Sequence, residues 1–280
     1  MTLRFAYNTN GAANHRLADA VAIIADAGYD GVALTLDHHH LDPMEEGWER
    51  RAEALAHDLS ARRLGCVIET GARYLLNPRA KHEPTLLTAS AEGRDRRVAF
   101  LNRATDIGAI LGAEAMSFWA GVPRPGVDRE QAWTWLRDGI ARVLEHAAAR
   151  GVTAALEPEP GMLVETVDDW QALRDGLPGL TLALDLGHLI VTGERDPAAA
   201  VREFAPGIGT VAIEDMARGV HVHLPFGEGD MDVPGCLDAL EGIGFRRLVC
   251  VELSRESHRA DTMIPGSLQW LRACHPAKAA

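Results

Sequence analysis

Lysine is almost absent from this chain: it occurs only at Lys81 and Lys278, and arginine supplies nearly all the positive charge. With 28 basic against 40 acidic residues, the net charge is −12. That balance is poor for gripping a phosphate backbone, so nucleic acid is not an expected partner. Cysteine is scarce too. Cys66, Cys236, Cys250 and Cys274 show no CxxC spacing. Cys66 and Cys250 lie in apolar, strand-like runs and read as small core residues. No apolar run approaches the ~20 residues of a membrane span, and no basic start leads into an apolar stretch. Neither a membrane partner nor a signal peptide is expected, and a cytoplasmic location follows by default. Linkers and low-complexity segments are missing, so residues 1–280 read as one domain.

What is present is an ordinary globular composition, 47% apolar and 24% charged, in a chain long enough for a large core. Short apolar runs alternate with longer helix-period segments. The strand-like runs are "RFAYNT" (4–9), "GVALTL" (31–36), "GCVIET" (65–70), "AEAMSFW" (113–119), "TAALE" (153–157), "LTLALD" (180–185), "GTVAIED" (209–215) and "RLVCVE" (247–252). Several are apolar throughout, which suits strands buried on both faces of a parallel sheet. Between them, "NHRLADAVAIIADAG" puts Leu17, Val21 and Ile24 on one helical face and stops near Gly28. Thr166 and Asp169 stand at capping-box spacing. Asp196 is an expected N-cap with Pro197 at the first helical position. About eight βα units result, and the expected fold is α/β, a (β/α)8 TIM barrel with an outer ring of helices. A doubly wound sheet is the competing fold. The turn after the first strand, "NTNGAANH", holds one glycine and lacks a dinucleotide fingerprint.

In a barrel the strand ends face the active site. Here several end on carboxylates: Glu157, Asp185, Glu214 with Asp215, and Glu252. A carboxylate at the end of a buried strand is costly unless compensated, and several converging on one rim point to a cation. His188 follows Asp185 by three residues, and Glu159 is either a further rim acid or a plain loop carboxylate. His221 and His223, in "VHVHLPFGEGD", share one side of an extended segment. They are ligands at the same rim or an incidental pair on a surface strand. Carboxylates mixed with imidazoles suit Mn2+, Mg2+, Co2+ or Zn2+, and the scarcity of thiols favours the harder ions. Trp119 ends the fourth strand and either stacks on a sugar ring or caps the core. The loop 70–84, with Arg73, Tyr74, Arg79, Lys81 and His82, is long enough to close over a substrate, or is a solvated face. "DHHHLDP" (37–43) reads as a loop leading to a helix capped at Asp42 in preference to a metal tract.

Taken together, "LALDLGH", "HLPFGEGD" and the strand-ending glutamates resemble the xylose-isomerase-like superfamily of TIM barrels, along nearly the whole chain. Its members are sugar isomerases and epimerases, inosose dehydratases and endonuclease-IV-type enzymes. The resemblance implies one divalent metal ion, Mn2+ first, held by Glu157, Asp185, a seventh-strand residue and Glu252. It implies substrate contacts from His188 and Arg218. The seventh strand departs from the pattern. The family commonly reads "HVHLKD" with its second histidine as ligand, whereas this chain reads "TVAIED" with Ala212 there. In the endonuclease-like branch an Asp-x-His pair binds further metal ions and aligns with His221 and His223. One or both are therefore candidates for the missing ligand, His223 first, with Glu214 as another. The strand-three and strand-four histidines of that branch are absent, and Trp119 stands where a second metal would be held, which suits one metal and a stacked polyol.

The activity so implied is isomerisation or epimerisation of a sugar, sugar phosphate or cyclitol. Glu157 and Glu252 would move a proton next to a carbonyl, with Trp119 and Arg73 beside the substrate. The resemblance also admits an inosose-type dehydratase and a phosphoester hydrolase with two or more metals. A barrel that lost catalysis and only binds a polyol is a further alternative. A homodimer is an expected assembly.

Overall fold

The computed structural model describes residues 2–275; Lys278 and the outermost ends of the expected 1–280 domain lie outside the described residues. Among the described residues ten strands are formed: β1 (Arg4–Asn8), β2 (Gly31–Thr35), β3 (Gly65–Glu69), β4 (Met116–Trp119), β5 (Ala154–Glu157), β6 (Thr181–Asp185), β7 (Ile208–Ile213), β8 (Asp215–Ala217), β9 (Val220–Leu224) and β10 (Leu248–Val251). Eight of them close a parallel barrel in the order β1-β2-β3-β4-β5-β6-β7-β10, while β8 and β9 form a separate antiparallel pair. The helices α1 (Leu17–Ala27), α2 (Trp48–Arg62), α3 (Ala91–Leu111), α4 (Arg129–Arg150), α5 (Val167–Arg174), α6 (Leu186–Thr192), α7 (Pro197–Phe204), α8 (Val233–Gly242) and α9 (Ala260–Cys274) alternate with them. Among the described residues no helix is long and apolar enough to cross a membrane.

The expected local signals operate. Helix α1 ends at Gly28, whose φ of 91° few other residues tolerate. Thr166 and Asp169 close their capping box on α5, and Asp196 caps α7 ahead of Pro197. One expectation is corrected. Asp42 does not cap a helix; it accepts a hydrogen bond from the Met44 amide (2.7 Å), and α2 starts only at Trp48, after Gly47 at φ 74°.

Strand alternation decides what fills the barrel. Phe5, Tyr7, Val32, Leu34, Cys66, Ile68, Val249 and Val251 point outward into the main core beneath the helices. Their neighbours Ala6, Ala33, Val67, Leu248 and Cys250 form a second, interior cluster that plugs the lower barrel. The same parity and register carry the upper interior positions: Glu69 beside Ser117, Trp119 beside Glu157, and Asp185 beside Ala212, itself beside Cys250. The interior is thus small and apolar below, acidic above.

Candidate metal and substrate site

Above that layer lies a cavity of about 660 Å³, lined by residues of nearly every strand end. Glu69, Trp119, Glu157, Glu159, His188 and Glu252 line it, together with His221 and His223. Two histidines placed after the seventh strand reach it because the chain reverses. The run "GTVAIED", expected as one strand, breaks at Glu214. The antiparallel pair β8/β9 then folds the chain back over the rim.

Asp215 causes the reversal. Its buried carboxylate accepts hydrogen bonds from the amides of Met216 (3.0 Å), Gly227 (2.9 Å) and Met231 (3.0 Å). A Cβ at Gly229 would meet the Asp215 carboxylate at 2.3 Å and the Met216 carbonyl oxygen at 2.6 Å, so only glycine fits. "FGEGD" is therefore the footing of the hairpin that presents both histidines on one face of β9. Asp215→Ala leaves three amides without their acceptor and should cost about 2–5 kcal/mol. Thermal melts check this; an unchanged melting temperature would mean the hairpin is held by other contacts.

His188 is the centre of the group. It lies in the first turn of α6, which Asp185 caps by accepting from the His188 amide (2.9 Å). The ring Nδ1 lies 3.0 Å from the Pro158 carbonyl oxygen, an acceptor only, so Nδ1 carries a proton, and in the neutral ring Nε2 is left as a lone pair. That Nε2 is buried and has no hydrogen-bond partner. It lies 3.6 Å from Asp185 Oδ2 and 3.9 Å from Glu159 Oε2. Glu157 Oε1 lies 3.7 Å from Nδ1 of the same ring. The His221 ring packs edge-on at 4.8 Å, with its Nε2 3.7 Å from Glu159 Oε1. His223 has a buried, unpartnered Nδ1, 3.8 Å from Glu214 Oε1. Two ligand-like groups result, Glu157/Asp185/His188 and His188/His221/His223, each with donor atoms within 4.8 Å of one another. They share His188.

The electrostatics fit the same picture. Burial pushes Glu157 well above the usual carboxylate range, and the charges of Glu159, Asp185, Glu69 and Glu252 push it further. Glu69 is raised to about 8 by burial and the nearby Glu252, against the hydrogen bond it accepts from the Ser117 hydroxyl. Glu214, fully buried, is raised by burial and then by Asp185 and Glu252. Burial opposes ionisation of Asp185 as well, but His188, His223 and the His188 amide outweigh it and hold that carboxyl below its ordinary value. His221 is lowered to about 4, first by burial and then by His188 and His223. It stays a neutral imidazole, the form that ligates.

Several expected positions differ. Glu252 lines the cavity but joins neither ligand group; it accepts from Asn10 Nδ2 at 2.8 Å. The seventh-strand position between Asp185 and the β10 side holds only Ala212. Beside it is a water-sized gap of about 10 Å³, also bordered by Glu157, Asp185 and Glu252. Arg218 is not in the cavity. It is exposed at the β8/β9 turn, its amide donating to Asp230, because the hairpin carries it away from the rim. Arg73 does line the cavity. Trp119 lines it too, 7% exposed, with the Arg97 guanidinium on its ring at 4.3 Å and His82 edge-on at 5.2 Å. None of His38, His39 or His40 lines the cavity. Asn10 and Ser117, which orient Glu252 and Glu69, escaped the sequence reading; the polar "NTN" closing an apolar strand was the only signal for Asn10, and Ser117 had none beyond its place in an apolar strand.

Residues 21–274 match the family described as xylose isomerase-like TIM barrel. The chain belongs to that family. It is 25% identical over 152 residues to 2-oxo-tetronate isomerase of Cupriavidus necator, covering 52% of this chain and 56% of that one. It is 26% identical over 148 residues to a putative L-ribulose-5-phosphate 3-epimerase of Escherichia coli, covering 49% and 50%. The chain thus spans about half the length of the curated relatives it matches. A crystal structure described as IOLI protein with a binding zinc atom superposes with a TM-score of 0.78 at 16% identity, covering 97% of this chain and 98% of that one. The relatives are isomerases and epimerases, and the structural likeness is one of fold.

Proposed function

We propose that this xylose isomerase-like barrel is a divalent-metal-dependent isomerase or epimerase. It would move a proton at a carbon next to a carbonyl, on a sugar, sugar phosphate or cyclitol. The observation that carries the reading is the orphaned Nε2 of His188, a buried lone pair fixed by the Pro158 carbonyl and facing carboxylates. Such an atom suits a cation. Asp185, Glu157 and His188 are the proposed ligands from the barrel. His221 and His223 replace the nitrogen that Ala212 lacks. Three imidazoles in reach move the expected ion from Mn2+ towards Zn2+ or Co2+. A divalent ion bound there supplies the positive charge that polarises a substrate carbonyl.

The chain's own residues do the rest. Glu157 and Glu252 border the same gap from different strands, so one can take a proton from a carbon above it and the other return one. Asn10 holds the Glu252 carboxylate in place, and Trp119 offers an apolar face that keeps water from the reacting carbon. The names of the two curated relatives, an isomerase and a putative epimerase, support the reaction class.

Metal analysis tests the reading. Wild-type protein should hold one ion per chain, and His188→Ala should weaken its affinity by at least about 100-fold. Wild-type protein that takes up neither Zn2+, Co2+ nor Mn2+ would refute it, as would full metal retention in His188→Ala. The two overlapping ligand groups also favour a second reading, a phosphoester hydrolase; two ions per chain would select it.

A further inference from the structure

The cavity has a cationic wall facing the histidines. Strands β3 and β7 are four places apart in either direction round the barrel, so the loop after β3 stands opposite the hairpin after β7. That loop brings Arg73 and Lys81 to the cavity. Among the described residues Lys81 has no acidic partner, and Arg73 has only one long ion pair. Lys81 makes no hydrogen bond or ion pair among the described residues. The carboxylate nearest Arg73 is Asp37, 3.9 Å away. Asp37 already accepts from the His38 amide at 2.7 Å and lies 2.8 Å from His38 Nδ1. In a chain with 40 acidic and 28 basic residues, the missing partners are not for want of acids.

The loop that carries the cations is also fixed. The His82 amide donates to the Arg73 carbonyl at 2.6 Å, which ties the Arg73 and Lys81 ends of the loop together. The His82 ring is fixed by the Gly71 carbonyl at 2.7 Å and by its edge contact with Trp119. Leu76 between them is buried. Burial lowers the His82 pKa, and among the charges around it Lys81, Arg97 and Arg73 lower it further. Three cations thus act on one imidazole. Like charges fixed together repel, and an anion placed between them removes the cost.

We infer that Arg73 and Lys81 form a subsite for an anionic group, a carboxylate or a phosphate, at the end of the substrate opposite His221 and His223. The substrate class is then a sugar acid or sugar phosphate, not a neutral sugar. Its orientation rests on the proton-transfer reading above; the anion subsite itself does not. Arg73 offers a fork of donors to two oxygens, and Lys81, at the mouth, adds a point charge.

Calorimetric titration of the metal-loaded protein tests this, with non-reacting probes. D-erythronate is the carboxylate probe, ribitol 5-phosphate the phosphate probe, and erythritol and ribitol are their neutral counterparts. Wild type should bind at least one anionic probe about tenfold or more tightly than its neutral counterpart, and the stronger of the two identifies the source. The preference should shrink with added salt. It should fall in Lys81→Met, an exposed position whose replacement leaves packing intact, and vanish in Arg73→Gln/Lys81→Met, while Arg73→Lys keeps part of it. Metal content should be unchanged in all three variants, which separates this test from that of the metal site. Equal binding of charged and neutral probes by wild type would overturn the inference. So would a preference that survives in the double variant, since the anion would then be held by the metal.

Discussion

Glu252→Gln should keep its metal and lose the reaction, whereas Glu157→Gln should lose the reaction and weaken the metal. The asymmetry follows from where the two carboxylates lie. Glu157 belongs to the group around His188, while Glu252 borders the same gap but is tethered to Asn10 and joins no ligand group. A carboxylate that moves a proton contributes about 10²–10⁴-fold. Exchange of carbon-bound hydrogen with D2O should therefore fall by about that factor in each variant. The measurement uses a panel of ketoses, ketose phosphates and 2-oxo sugar acids, followed by NMR, alongside metal analysis of each variant. Glutamine preserves size and the ability to accept from Asn10, so loss of exchange reports the missing proton carrier rather than a collapsed site. Unchanged exchange in both variants would end the two-glutamate scheme. Loss of metal in Glu252→Gln would return that residue to the ligand set.

The barrel was legible because two periodicities agree. Apolar runs, glycine-ended helices and cap residues each marked the same boundaries, as Gly28, Thr166 and Asp196 illustrate. Strand-ending acids were legible for a related reason. Inward parity puts Glu157, Asp185 and Glu252 one layer above small apolar residues, and that pattern is local in sequence. What failed was long-range. Glu214 and Asp215 look like the end of one strand, but Asp215 captures amides twelve and sixteen residues away, and the strand breaks to satisfy them. The resemblance that set Arg218 beside the substrate implied a rim that continues. The hairpin spends those residues on its own turn. The same reversal gives the histidine pair a place at the cavity, which no spacing rule supplies.

Chelated protein should become less stable as the pH rises from about 6.5 to 8, opposite to the usual behaviour of a protein with paired carboxylates. The sign follows from the acids at the rim. Glu69 is raised to about 8, and Glu157, Glu159 and Glu214 are raised by burial first. Between the ordinary carboxylate pKa of the unfolded chain and these raised values, the folded state binds more protons than the unfolded one. Raising the pH then favours unfolding. The imidazole of His221, lowered from 6.5 to about 4, runs the other way below pH 6.5, where the unfolded chain binds a proton that the folded chain does not. His40, also lowered to about 4, and His39 and His82 act with it, so the loss is expected above about pH 6.5, where these rings are neutral in both states; Asp185 opposes the loss as well, but its lowered pKa lies below the window. The net loss should be on the order of a few kcal/mol, several degrees in melting temperature. Adding Zn2+ or Co2+ should reverse it, with larger stabilisation at pH 8 than at pH 5.5, because the ion binds the ionised ligands and only in the folded chain. General repulsion in a chain of net charge −12 would also destabilise it as pH rises. Glu69→Gln separates the two. It removes one buried acid from the rim and should flatten the pH dependence of the chelated protein far more than replacement of a surface glutamate such as Glu53. A flat profile in chelated wild type, or equal effects of the two replacements, would mean that the rim carboxylates are not held protonated by their burial.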